Sequence, residues 1–249
     1  MRKSFEPKQE KPKGFWNDFL DEKVNKQIFQ KISQRIKKNA PSLDDTYTNG
    51  LIDVIFEEEK AFCKSVTENV ERRFKNLKIK DQYLLWDVWG TLGVPKDKKI
   101  IFRESIVPLL CFIRLQFPRL KMGILSDVNQ EYLKMISDSL NLLCDGKILA
   151  FDYENVFSVA PNNVGATFSR IGLDRKKIKR DSPLDNKLKV TKELDKKGRA
   201  LVIDDLDYGQ EKNNLGIQIS SLLWREDKLN WPIENKELVS PHNHYNQKE

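Results

Sequence analysis

Apolar residues recur at helical spacing over 14–38 (Phe15, Phe19, Val24, Ile28, Phe29, Ile32, Ile36) and again over 48–74 (Leu51, Ile52, Ile55, Phe56, Phe62, Val66, Val70). The spacing predicts two amphipathic helices, the first broken near Asp21. Asn39-Ala40-Pro41-Ser42 ends the first, and Ser42-Leu43-Asp44-Asp45 caps the second. Glu57-Glu58-Glu59 interrupts the second stripe and reads as a solvated face. Helices of this kind are held by what their apolar face packs on, and the nearest partner is the chain that follows. No flexible Gly/Ser tether separates the two, since 75–80 is short and lysine-rich.

From residue 79 the period changes. Tyr83-Leu84-Leu85-Trp86, Met122-Gly123-Ile124-Leu125 and Ala200-Leu201-Val202-Ile203 are short apolar runs, each ending in polar groups: Asp87, Ser126-Asp127 and Asp204-Asp205. Runs of this length bounded by turn signals read as buried parallel strands. Between them the pattern predicts helices over 102–117, 130–143 and 184–197, a polar loop over 93–99, one or two strands over 147–157 and a loop over 160–165. Strands alternating with helices imply an α/β fold with a parallel sheet and helices on both faces. Ligands of such sheets bind at the carboxyl ends of the strands. The organisation is therefore an N-terminal helical extension (1–78) packed on a three-layer, Rossmann-like α/β core (79–225), with a polar C-terminal tail (226–249).

The ordered set Asp87, Thr91, Ser126, Lys187 and Asp204-Asp205 resembles the haloacid-dehalogenase-like hydrolase superfamily, over roughly residues 83–220. Asn213-Asn214-Leu215-Gly216-Ile217-Gln218-Ile219 is similar to the short helix, glycine turn and strand that follow in that family. The resemblance implies a central first strand flanked by the strands of Ser126 and Asp204. It implies that Asp87 attacks a phosphorus centre to form an aspartyl-phosphate. Asp87, Asp204, Asp205 and the backbone carbonyl of Trp89 would hold Mg²⁺, an ion that takes oxygen ligands and offsets the repulsion between two anions. Ser126 and a lysine would grip the transferring oxygens. Lys187 fits that lysine best because it opens the helix before the Asp204 strand, with Lys189 second.

Trp89 departs from the family pattern. Phosphatases of the superfamily carry a second aspartate two residues after the nucleophile, which protonates the leaving group. An indole N–H cannot serve, so acid assistance worth about 10²–10⁴-fold is missing. The dehalogenase branch has an aromatic there but works without metal, whereas Asp204-Asp205-Leu206-Asp207 looks built for a cation. Three readings follow: a Mg²⁺-dependent phosphoester hydrolase with its general acid lost, a non-catalytic interaction or regulatory protein on the same fold, and a metal-independent dehalogenase.

Composition narrows the partners. Of 249 residues, 33% are charged and the net charge is +7, with mean hydropathy −0.60; this describes a solvated surface inclined toward anions. No apolar run reaches the roughly 18 residues of a membrane helix, and the N-terminus lacks a secretory signal, so a cytoplasmic, non-membrane protein is expected. Cys63, Cys111 and Cys144 read as buried hydrophobes. His242 and His244 lie in the polar tail, which argues against a Ser-His-Asp triad. The spacing between Asp87 and Ser126 leaves no room for a large cap, so with little or no cap the site suits a phosphorylated macromolecule unless the N-terminal helices themselves cover it. The basic run 175–180 lacks the interleaved aromatics that stack bases, so nucleic acid is only weakly supported as a partner.

Overall fold

The computed structural model describes residues 19, 22–39, 41–75, 81–96, 99–144, 149–174, 182–197, 199–206 and 215–219. The arm 1–13, the basic run 175–180, Asp207 and the tail 226–249 lie outside these residues. Helix α1 (Glu22–Asn39) and helix α2 (Asp45–Phe74) form the N-terminal pair. Asp44 caps α2, its carboxylate accepting the N–H of Tyr47 at 2.9 Å. Ile28, Ile32 and Ile36 of α1 close a small core with Ile52 and Ile55 of α2.

The central sheet follows: β1 (Gln82–Trp86), β4 (Lys121–Ser126), β5 (Val156–Ser158), β6 (Arg199–Asp204) and β7 (Gly216–Gln218). Its order is β5-β4-β1-β6-β7, all pairs parallel, with β1 in the middle. All five residues of β1 are buried because a central strand faces core on both sides. Leu84 and Trp86 enter one core, and Tyr83 and Leu85 the other. The first core is covered by the C-terminal half of α2, by α3 (Ile106–Gln116) and by α4 (Gln130–Leu143); the second by α5 (Val164–Ile171) and α6 (Pro183–Lys197). The architecture is α/β, with three layers and a Rossmann-like parallel sheet. Among the described residues no helix is long and apolar enough to cross a membrane.

The direction of α2 matters for the site. Near its C-terminus Arg73 pairs with Asp195 at 2.7 Å and donates to the carbonyl of Ala200, at the start of β6. Fourteen residues earlier, Glu59 bonds Arg103 and Ser105, and Arg103 in turn holds the carbonyls of Gly90 and Thr91 beyond the end of β1. Helix α2 thus runs against the strands, and its residues before Glu59, at about 1.5 Å each, rise past their carboxyl ends.

Two expectations are corrected. Residues 93–99 do not form a polar loop: β2 (Gly93–Lys96) and β3 (Lys99–Phe102) make an antiparallel hairpin, and the following helix begins only at Ile106. Val94, Ile100, Ile101 and Phe102 supply the strand-forming side chains that the charged tip obscured. Of the one or two strands expected over 147–157, the described residues form one, β5, after a 3₁₀ turn at Tyr153–Asn155. That turn crosses β4 so closely that a Cβ on Gly123 would lie 2.0 Å from the Asn155 carbonyl oxygen. Lastly, the run Glu57-Glu58-Glu59 is not wholly solvated, because Glu59 is 0% exposed.

Candidate functional site

Three neighbouring strands deliver polar residues to one edge of the sheet. Asp87 follows β1, Ser126 ends β4, and Asp204 ends β6 with Asp205 next. The register sets Trp86 beside both Ile124 and Ile203, so Asp87 stands level with Asp204 and one residue short of Ser126. Beyond Asp87 the chain turns sharply. The carbonyl of Val88 accepts from Leu92 and Gly93 at 3.0 Å, and Gly90 donates to the Gly93 carbonyl. Gly90 adopts φ 74°, a left-handed conformation that glycine takes without the steric cost other residues meet.

Carboxylate oxygens of Asp87, Asp204 and Asp205 lie within 4.8 Å of one another. Lys187, from the first turns of α6, reaches into them: its Nζ lies 2.9 Å from Asp87 Oδ1 and 2.9 Å from Asp204 Oδ2. Lys187, and not Lys189, occupies this place. Asp87, Lys187 and Asp204 are all buried, which magnifies every charge effect. Burial raises the Asp87 carboxyl, Lys187 pulls it back, Asp204 raises it again and Ser126 lowers it, leaving it at about 7. Burial alone would lower the ammonium of Lys187, yet Asp87 and Asp204 overcome this and hold it above the ordinary lysine value.

Several oxygens here are under-used. Asp87 Oδ1 is paired with Lys187 by charge, but no donor among the described residues meets it with hydrogen-bond alignment. The buried hydroxyl of Thr91 has no hydrogen-bond partner among the described residues, and that of Ser126 lies close enough to Asp87 to lower its carboxyl but is not aligned as a hydrogen bond. Water, an ion or a ligand could satisfy buried polar atoms in this state. Clustered carboxylate oxygens are the donor set that hard divalent cations take, so Asp87, Asp204 and Asp205 could hold a metal ion.

The remaining expected residue, Trp89, is half-buried. Its ring lies 5.9 Å from Tyr132 on α4 and packs against the first core. Strand β1 ends at Trp86, so alternation along an extended strand does not govern where residue 89 points relative to Asp87. The bridge to Gly93 uses the carbonyl of Val88 and the N–H of Gly90, and the Trp89 carbonyl takes no part in it.

Two functional candidates escaped the sequence reading, Glu59 and Arg103. Arg103 donates from Nε to the Thr91 carbonyl at 2.8 Å, from Nη2 to the Gly90 carbonyl at 3.3 Å, and from Nη1 to Glu59 at 3.1 Å. A signal for Glu59 was present: it falls on the buried stripe of Ile52, Ile55, Phe62 and Val66. A charge at a core position of a helix calls for a buried partner.

Comparison of the chain with protein-family models, with curated proteins and with solved structures finds no match.

Proposed function

We propose that the chain is a Mg²⁺-dependent phosphoester hydrolase of the haloacid-dehalogenase-like type, working through an aspartyl-phosphate on Asp87. The observation that carries this reading is the convergence of buried Asp87 and Asp204 with half-buried Asp205, the first two paired with buried Lys187. Asp87, Asp204 and Asp205 would hold the ion, joined by the Trp89 carbonyl. Bound there, Mg²⁺ would draw Asp87 into its ionised form and screen it from an incoming phosphate. The carboxylate oxygen of Asp87 then attacks phosphorus, and the bond to the leaving oxygen breaks with its electron pair. Ser126 and Lys187 donate to the phosphoryl oxygens as charge builds on them. With Trp89 in place of an acid, the leaving oxygen takes its proton from water. A second water attacks phosphorus, the Asp87–phosphorus bond breaks, and inorganic phosphate departs. Substrates whose leaving group needs no proton, such as aryl phosphates, should be favoured.

The test is a panel of phosphoesters with and without Mg²⁺, run beside Asp87→Asn. Release of phosphate that needs both Mg²⁺ and Asp87 supports the reading; release that ignores either sinks it. One observation favours a second reading, a non-catalytic interaction or regulatory protein: Trp89 is engaged with Tyr132 and offers nothing that titrates. Failure of the whole panel, with Mg²⁺ bound, would leave that reading ahead.

A further inference from the structure

We propose that Glu59 and Arg103 form a positioning pair that fixes the turn after Asp87, making helix α2 part of the site rather than an appendage. The catalytic consequence rests on the reading of Asp87 as nucleophile; the positioning itself rests on geometry.

Arg103 is bound on every side. Its backbone N–H donates to the Leu92 carbonyl at 3.0 Å, its guanidinium holds the carbonyls of Gly90 and Thr91, and its Cζ lies 4.4 Å from the centre of the Phe62 ring. Glu59 completes the arrangement with one oxygen on Arg103 and the other on the N–H and hydroxyl of Ser105, where α3 begins. One carboxylate of α2 thereby ties together the turn, the hairpin and α3.

A buried ion pair is a poor way simply to hold a helix to a core, since apolar side chains of equal volume do this as well or better. What apolar side chains cannot do is satisfy two backbone carbonyls in a turn whose left-handed glycine takes them out of regular pairing. A guanidinium fork does so in fixed geometry; an ammonium would not. Asp87 is held from the other side by its N–H on the Ile203 carbonyl at 2.9 Å. Sheet and turn together therefore set where its carboxylate stands, and a displacement of about 1 Å in such a group costs on the order of 10²-fold in rate.

The test compares the full-length protein with Glu59→Gln, Arg103→Lys and Arg73→Gln, the last breaking the ion pair at the other end of α2. Amide hydrogen exchange is read over 88–93 and, as a reference, over Leu84–Trp86 and Leu201–Ile203. In Glu59→Gln and Arg103→Lys, exchange over 88–93 should rise by about tenfold or more while the reference strands keep their rates. On any phosphoester the wild type hydrolyses, kcat should fall about 10²-fold with KM within about twofold. Arg73→Gln should leave the turn and kcat unchanged. The proposal is overturned by exchange that rises equally in turn and strands, by a loosened turn with undiminished kcat, or by the same loosening in Arg73→Gln. Failure of both Glu59→Gln and Arg103→Lys to fold would make the pair purely structural and would equally overturn it. A wild type without phosphatase activity would sink the hydrolase reading, while the exchange data would still decide the positioning.

Discussion

Lys187 donates to Oδ2 of Asp204 at 2.9 Å, with neither side chain more than 2% exposed. The same ammonium faces Asp87, so one cation holds the ends of β1 and β6 together. Removing it with Lys187→Met leaves buried carboxylates facing one another. Without Mg²⁺ the variant should lose about 3–5 kcal/mol of unfolding free energy, and Mg²⁺ should restore part of that loss. Denaturant unfolding with and without the ion measures both; a variant as stable as wild type in Mg²⁺-free buffer would contradict the ion-pair account.

Asp87 predicts a pH dependence of the metal-free protein. Its folded carboxyl sits at about 7, above the roughly 3.9 of an unfolded aspartate. The native state thus binds the extra proton between these values. The stabilisation is complete below pH of about 4 and is lost as pH rises through about 7. Asp87→Asn, which carries no charge to desolvate, should match wild type near pH 4 and exceed it by on the order of 4 kcal/mol above pH 8. Parallel stability curves for the two proteins would show that the carboxyl is not held in this way.

Trp89→Asp tests the missing acid. If a carboxyl at this position reaches the leaving oxygen, hydrolysis of a poor-leaving-group ester should rise by up to about 10²–10⁴-fold, and an aryl phosphate should gain little. The cost is the packing of the indole on Tyr132, up to about 3–5 kcal/mol, so thermal unfolding is measured alongside. A folded, Mg²⁺-binding variant with no gain on either ester would refute the missing-acid account.

How much of this was legible in the sequence differs from residue to residue. The ends of β1, β4 and β6 could be read because each is a short apolar run broken by a carboxylate or hydroxyl, and burial on both faces leaves few other conformations for such a run. Lys187 could be singled out only by its place at the opening of α6. The hairpin at Gly93–Phe102 was hidden because its charged tip has loop composition, and its pairing across Val94 and Ile101 is invisible to local pattern. Glu59 was misassigned because its two acidic neighbours invite a solvated reading, although its spacing from Ile55 and Phe62 placed it on the buried stripe. Its partner Arg103 lies 44 residues away, and no local rule joins the two.

The most direct test of the central claim is acid-quenched turnover followed by peptide mass spectrometry. Wild type mixed with Mg²⁺ and an aryl phosphate, then quenched within one turnover, should carry one phosphoryl group on the peptide containing Asp87. The label should vanish when Mg²⁺ is chelated and in Asp87→Asn. Phosphate released with Asp87 unlabelled, or a label on any other residue, would contradict the account.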